Sequence, residues 1–307
     1  MDLQYEFERF MIIMDRMWLK GWITCNDSNI EITKISFESS NILSFGVPFE
    51  QGDGKITFDY KFSIPEILSN NNQLIFDSPL RVYFSDGTHR DITKCYETSI
   101  QIDPKGLQQN FIQTLLTKPQ GNFLELGSSG LSGTFAKTHF LPSGWTYTGF
   151  DIRAGPNVDV VGDAHELSKS LSLNHFDAVF SVSVFEHLFM PWKVALELNK
   201  VLKTGGIGYI LTHQAWPVHC LPWDYWRFSE HAWLAIFNKY TGFEIIDVAM
   251  TCPASLFPYI AHPGANHNIQ TRSYQTSMVL FRKVSETQLE WPVDLKDIIS
   301  TMYPHHD

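Results

Sequence analysis

The chain has 307 residues, 44% hydrophobic and 14% aromatic, enough to bury a substantial core and to form two domains rather than one. Its formal net charge of -10, with no dense run of Lys or Arg, argues against nucleic acid as the main partner, because phosphate binding needs concentrated positive charge. The longest early apolar run, Phe10 to Met14, is too short to cross a bilayer and follows Asp2, Glu6 and Glu8, so neither membrane insertion nor a secretory leader is expected. Cys25, Cys95, Cys220 and Cys252 are widely spaced, show no paired metal-ligand pattern, and read as free thiols of a cytoplasmic protein.

Residues 1–102 alternate. "NIEITKISFES", "KITFDYKFSI" and "LRVYFSDGTHRDITKCY" place apolar side chains at every second position between turn-forming residues, the pattern of half-buried antiparallel strands. Asp86-Gly87 marks a hairpin, Gln51-Gly52-Asp53-Gly54 another turn, and the opening "DLQYEFERFMIIMDRMWLKGW" is expected to contain a short helix. This region reads as a small β-sandwich-like accessory domain. It could bind carbohydrate, mediate homodimerisation or hold the chain in an assembly.

Near Asp103-Pro104 the pattern changes. A connecting helix is expected over 103–118, with Leu107, Phe111 and Leu115 on one side, ended by Pro119-Gln120-Gly121. From 119 to 284 strand and helix candidates alternate: "NFLELGSS", a helix from Leu131 to Phe140, "YTGFDI", "VDVVGDA", "FDAVFSVS", a helix near Pro191 to Leu202, "IGYILTH", a helix near Ser229 to Tyr240, "FEIIDVAM" and "YQTSMVLFRK". Hydrophobic strands separated by helices imply an α/β sheet covered on both faces, whose ligands sit beyond the carboxyl ends of the strands. Residues 285–307 form a tail with one short helix.

Those strand ends are polar. The first leads into Gly127-Ser128-Ser129-Gly130, a turn whose glycines permit close backbone approach, although such turns also start helices without binding anything. The second ends at Asp151, placed to accept two ribose hydroxyls, and the third at Asp163-Ala164, beside an adenine edge. Each acid taken alone could be a helix cap or a solvated loop residue; the three successive ends together point to an adenosine. A nicotinamide dinucleotide remains an alternative, but Glu125 beside the first turn suits a ligand ammonium better than a pyrophosphate.

"NFLELGSSG", "YTGFDI", "VDVVGDAHEL", "FDAVFSVSVFEHL" and "LNKVLKTGGIGYIL" resemble, in order and spacing, the motifs of class I S-adenosylmethionine-dependent methyltransferases over residues 119 to about 250, and "YQTSMVLFRK" resembles their closing antiparallel strand. "WPVHCLPWDYWRFS" is similar to a segment of a subset that modifies glycans or small molecules. The resemblance implies a Rossmann-like seven-stranded sheet and S-adenosyl-L-methionine as cofactor. It implies that Glu125, Gly127, Ser128 and Gly130 surround the methionine part, that Asp151 and Ile152 hold ribose and adenine, that Asp163 and Ala164 meet the adenine edge, and that Ser181 and Ser183 line the fourth strand's end. Ser129 and Leu131 depart from it, standing where the commonest loop of the family has further glycines.

Methyl transfer from a sulfonium is an in-line displacement, and a hydroxyl acceptor must also lose its proton. Candidate bases are His219, then His187 and His213; Trp216, Trp223, Asp224, Tyr225, Trp226 and Arg227 are candidates for the acceptor pocket. The plainer readings are a helix-orienting His187, a bracing Glu186, an aromatic lid, and a structural Asp224–Arg227 ion pair. His187, His213 and His219 could converge with a carboxylate on a metal ion, but their spacing fixes no such geometry, and no metal is expected. "AHPGANHN" before the last strand reads as a flap or a surface loop, and His305-His306 give little support for a metal site. The expected activity is O-methylation of a small polar acceptor, foremost a sugar or glycan-precursor hydroxyl. The alternatives are a non-catalytic methyltransferase-like scaffold and a nicotinamide-dependent oxidoreductase.

Overall fold

The structure, a computed structural model, describes residues 3–13, 16–27, 30–39, 43–52, 55–63, 79–92, 105–129, 136–254, 256 and 272–299. The chain divides into two compact units, Met1–Ile100 and Gln101–Asp307.

The first unit contains β1 (Leu3–Ile13), β2 (Arg16–Cys25), β3 (Ile32–Ser39), β4 (Leu43–Gly46), β5 (Glu50–Gly52), β6 (Lys55–Ser63), β7 (Leu80–Phe84) and β8 (His89–Ile92). They form two four-stranded sheets, β1-β2-β6-β5 and β4-β3-β7-β8, in which every pair is antiparallel. Leu80, Val82 and Phe84 alternate into the interior from β7. They share one apolar cluster with Leu19, Ile23, Ile56 and Phe58 of the other sheet. The hairpin expected at Asp86-Gly87 is present: the Asp86 carboxylate accepts from the Thr88 backbone N–H at 2.8 Å, and Gly87 takes a φ of 81° that a side chain would resist. The helix expected at the start is absent. That segment is the hairpin β1–β2, paired from Leu3–Cys25 to Ile13–Arg16, because Leu19 and Ile23 follow a two-residue repeat into the core. Gly21 permits it, since a Cβ there would lie 2.2 Å from the Glu6 carbonyl oxygen across the pair.

The second unit begins with α1 (Leu107–Leu116), which buries Leu107, Phe111 and Leu115 as its spacing predicts. There follow β9 (Gly121–Leu126), α2 (Ala136–His139), β10 (Trp145–Asp151), β11 (Val160–Val161), α3 (Leu167–Ser170), β12 (Phe176–Val182), α4 (Pro191–Val201), β13 (Leu202–His213), α5 (Ala232–Ile236), β14 (Phe243–Ala254) and β15 (Ser273–Lys283). The sheet order is β11-β10-β9-β12-β13-β15-β14. The first five strands are mutually parallel, and β15 runs antiparallel between β13 and β14. This is the Rossmann-like seven-stranded sheet expected from the sequence.

Alternate residues of the central strands serve opposite faces. Leu124 and Val179 join one apolar cluster with α4 and α5, while Phe123 and Phe180 join another with α1. Burying one such side chain contributes about 1.5–3 kcal/mol, so the two filled faces hold the sheet and its strand ends in place. Residues 130–135 lie outside the described residues, so the helix expected from Leu131 is described, as α2, over Ala136–His139; α5 spans five residues, and the described part of the tail contains a 3₁₀ turn at Leu295–Asp297. Cys95, the segment around His262 and the His305-His306 pair lie outside the described residues. Among those described, no helix is long and apolar enough to cross a membrane.

Candidate functional site

Strand order reverses between β9 and β12, and beyond the carboxyl ends of the parallel strands lies a cavity of about 310 Å³. Its wall includes Leu126, Gly127 and Ser129 after β9; Phe150, Asp151, Ile152 and Arg153 after β10; Gly162, Asp163, Ala164 and His165 after β11; and Ser183, Val184, His187 and Leu188 after β12. Gly127 takes a φ of 86°, and a Cβ on it would lie 2.1 Å from a Val184 methyl group, so the first and fourth loops meet only because this residue is glycine. Ser183, with φ 55°, holds a left-handed backbone that non-glycine residues seldom adopt.

Asp151 organises the loops around it. One carboxylate oxygen accepts from the Ser129 N–H at 3.0 Å and the other from the Arg153 N–H at 2.9 Å, which leaves further lone pairs for a ligand. Asp163 caps the 3₁₀ turn Ala164–Glu166 by accepting from the His165 N–H at 2.9 Å. The same oxygen lies 2.6 Å from His165 Nδ1, while His165 Nε2 accepts from the Met190 N–H at 3.1 Å. The proton of the neutral ring therefore sits on Nδ1. Burial opposes ionisation of Asp163, but these bonds from His165 hold its carboxyl below the ordinary value.

The sequence-derived cofactor residues separate into three groups. Gly127, Asp151, Ile152, Asp163, Ala164 and Ser183 line the cavity. Gly130 lies outside the described residues. Glu125, Ser128 and Ser181 are buried beneath the cavity instead of lining it. Glu125 accepts from the Tyr147 hydroxyl at 2.7 Å and from the Ala136 N–H at 3.4 Å, and burial raises its carboxyl above the ordinary value against these bonds. Ser181 sits within the sheet, opposite Leu126 on one side and Ile210 on the other, and its hydroxyl is enclosed there. Arg153, His165 and Cys220 line the cavity without having been singled out. Arg153 and His165 lie one or two positions beyond Ile152 and Asp163, where strand patterning no longer says which way a side chain leaves the backbone.

On the acceptor side, His187, His219 and Trp223 line the cavity. His187 Nδ1 is 2.6 Å from the Trp223 carbonyl, an acceptor only, so the proton of that nitrogen points at it. His219 is held on both sides of its backbone: its N–H donates to Asp224 at 2.9 Å, and its Nδ1 faces the Pro217 carbonyl at 3.2 Å and the Asp224 carboxylate at 3.3 Å. Asp224, with a side chain 1% exposed, is gripped by both terminal nitrogens of Arg227 at 2.5 and 2.7 Å, which hold its carboxyl far below the usual range. Arg227 also donates to the carbonyls of Trp216 and Pro217, tying the segment into one hairpin-like loop.

His213, Trp216, Asp224, Tyr225, Trp226 and Arg227 do not line the cavity. Trp216 stacks on His213 at 4.7 Å, Tyr225 meets Phe189 edge-on, and Trp226 meets Trp192 edge-on. Five of the six expected acceptor residues thus lie off the cavity, and Trp223 faces the space. Beneath them Glu186 is fully buried; it accepts from the Thr212 hydroxyl at 2.5 Å, and His213 Nε2 lies 3.0 Å from its other oxygen. Burial opposes its charge, yet His213 and Thr212 hold its carboxyl below the ordinary value.

Residues 126–210 match a protein-family model described as "Methyltransferase domain". No curated protein sequence matches the chain. Solved structures with a similar fold include a SAM dependent methyltransferase from Archaeoglobus fulgidus, with 16% identity and a TM-score of 0.42, covering 57% of this chain and 90% of that one. Another is a SAM dependent methyltransferase from Aquifex aeolicus, with 14% identity and a TM-score of 0.38, covering 60% of this chain and 95% of that one. The matched segment runs from the end of β9 to the middle of β13 and contains every cofactor-side loop described above except Glu125. Residues 126–210 thus match a methyltransferase domain, and the cofactor this implies is S-adenosylmethionine.

Proposed function

We propose that the protein methylates a hydroxyl oxygen of a small polar acceptor, a sugar or glycan precursor, with His219 as general base. The cavity suits the cofactor. Asp151 and Asp163 offer acceptors at successive strand ends, Leu126, Phe150, Ile152 and Leu188 offer apolar surface for a flat ring, and Gly127 gives close backbone approach. Asp151, Asp163 and Ala164 would hold the adenosine, and the loop after β9 the amino-acid end. When bound, the cofactor supplies an electrophilic methyl group on a sulfonium.

The observation that carries the base assignment is the Asp224–His219 contact. With Nδ1–H directed at the Asp224 carboxylate and the Pro217 carbonyl, the lone pair of the neutral ring lies on Nε2, at the cavity wall. As the acceptor oxygen forms its new bond to carbon, that nitrogen takes the hydroxyl proton. Asp224 favours the positively charged ring that results, and Arg227 keeps Asp224 in place. Trp223 gives one aromatic face against which a sugar ring can pack. The acceptor class rests on this pairing of an aromatic wall with polar groups and on the resemblance of the Trp216–Ser229 segment to glycan-modifying relatives.

The test is transfer of labelled methyl groups to a panel of sugars, nucleotide sugars, phenols and amines. Labelled sugar hydroxyl products, lost in His219→Ala, support the reading. Labelled amine products, or sugar products made equally well by His219→Ala, overturn it. For the N-terminal unit, loss of acceptor binding with cofactor binding retained in a chain lacking residues 1–100 would favour acceptor recognition over dimerisation or assembly.

A further inference from the structure

Glu186 is the buried group that methyl transfer leaves unexplained. Its Oε2 is bonded to Thr212, and Oε1, fully enclosed, has His213 Nε2 at 3.0 Å without a well-aligned hydrogen bond. His213, 8% exposed, has an unpartnered Nδ1 in the same place. A buried carboxylate oxygen and buried imidazole nitrogens that lack well-aligned hydrogen bonds are groups an ion beside them would satisfy. The donor atoms of Glu186, His213 and His219 all lie within 4.8 Å of one another.

We propose that Glu186, His213 and His219 bind a divalent transition-metal ion of the zinc type. Imidazole nitrogen with one carboxylate is the donor set such ions prefer, whereas calcium and magnesium favour sites richer in oxygen. The outer contact of His219 fits as well. A ligating histidine ordinarily passes its other N–H to a carbonyl or carboxylate, and His219 Nδ1 faces the Pro217 carbonyl and Asp224. Donors on one tetrahedral ion are about 3.3 Å apart, so the group needs only small side-chain rotations to close. His187, His219 and Cys220 form a second cluster through the shared His219, which places further donors beside the ion.

The site stands independently of the transferase reading, although the two meet at one atom. His219 Nε2 cannot hold an ion and accept a proton together, so a loaded site presents the ion, not the base, to the acceptor. Added zinc is then expected to suppress turnover by the base-dependent route.

The test uses the full chain, stripped with chelator and titrated with Co²⁺ while visible absorption is recorded. Saturation at one ion per chain, with the visible bands of a nitrogen-ligated Co²⁺ and displacement by Zn²⁺, is expected. Glu186→Gln and His213→Ala should each weaken binding by more than about 100-fold, beyond the loss typical of an outer partner. His231→Ala, at an exposed histidine remote from the cluster, should bind as the unaltered protein does. Circular dichroism and titration with S-adenosylhomocysteine establish that each variant is folded, and His219→Ala, on the partly exposed loop, repeats the test if a buried variant is not. No saturable Co²⁺ binding, or equal binding by the folded variants, overturns the metal site; loss of S-adenosylhomocysteine binding by the unaltered chain bears on the transferase reading alone.

Discussion

Asp224 receives both terminal guanidinium nitrogens of Arg227, at 2.5 and 2.7 Å, and turns the remaining capacity of one oxygen to the backbone N–H of His219 at 2.9 Å. Two residues of one short loop thereby fix a histidine that lines the cavity. His219→Ala is expected to lower kcat roughly 10²- to 10⁴-fold while S-adenosylhomocysteine affinity stays within about 2-fold. Asp224→Asn should act through the histidine: kcat falls about 10-fold or more with little change in S-adenosylhomocysteine affinity, because the carboxylate no longer holds the imidazole in place. Steady-state kinetics with calorimetric titration checks both, and an unchanged kcat in Asp224→Asn would make that residue a loop brace only.

The cofactor acids are expected to differ in weight. Asp151 faces the cavity, whereas Glu125 is spent on Tyr147 and Ala136 beneath it. Asp151→Ala should cost about 1.5–3 kcal/mol of S-adenosylhomocysteine binding, roughly 10- to 100-fold in Kd. Glu125→Gln keeps an acceptor for the Tyr147 hydroxyl and should change Kd by less than about 3-fold. Calorimetric titration separates them. The reverse ranking would mean that the glutamate reaches the ligand as the sequence alone suggests.

A stability prediction concerns Lys283, whose ammonium is fully buried at the end of β15. It donates to Asn174 at 2.8 Å, to the carbonyls of Asn199 at 2.6 Å and Leu202 at 2.9 Å, and to Glu286 at 2.8 Å. Lys283→Met fills the space but strands buried carbonyls, and should lower unfolding stability by about 3 kcal/mol. Urea denaturation measures it; a loss below about 1 kcal/mol would show that the strand end rearranges to satisfy them.

Acid should weaken the acceptor loop. Asp224 and Glu186 both have carboxyls held below their ordinary values, the first by Arg227, the second by His213 and Thr212 against burial. A depressed carboxyl stabilises the fold above its unfolded value, about 4, and that contribution is lost as pH falls from there through the folded value. Glu125 has the opposite sign: burial raises it, so its contribution is present below the unfolded value and lost as pH rises through the folded one. Unfolding midpoints between pH 7 and pH 3 should fall more steeply for the unaltered protein than for Asp224→Asn. Parallel curves would contradict the linkage.

Much of this architecture was legible in the residues. The change from two-residue alternation to strand–helix alternation marks the second unit's start, and the polar residues after "NFLEL", "YTGFD" and "VDVV" stand at the strand ends that open on the cavity. The opening segment invites a helix because "FMIIM" is continuously apolar, and it is the pairing of β1 with β2 that makes it a strand. Glu125, Ser128 and Ser181 lie close to the right loops, but whether a residue at a strand end faces the cavity or the sheet depends on the local turn. The meeting of Glu186 with His213 and His219 was less accessible still. It joins the end of β12 to the end of β13, and no spacing along the chain encodes that distance.

The most direct measurement is calorimetric titration of the full chain with S-adenosylhomocysteine, with a nicotinamide dinucleotide as the comparison ligand. Saturable binding of the first at one per chain, weakened at least about 10-fold by Asp151→Ala and absent for the dinucleotide, is the predicted result. No heat and no thermal stabilisation with S-adenosylhomocysteine, or binding of the dinucleotide in its place, would contradict the account.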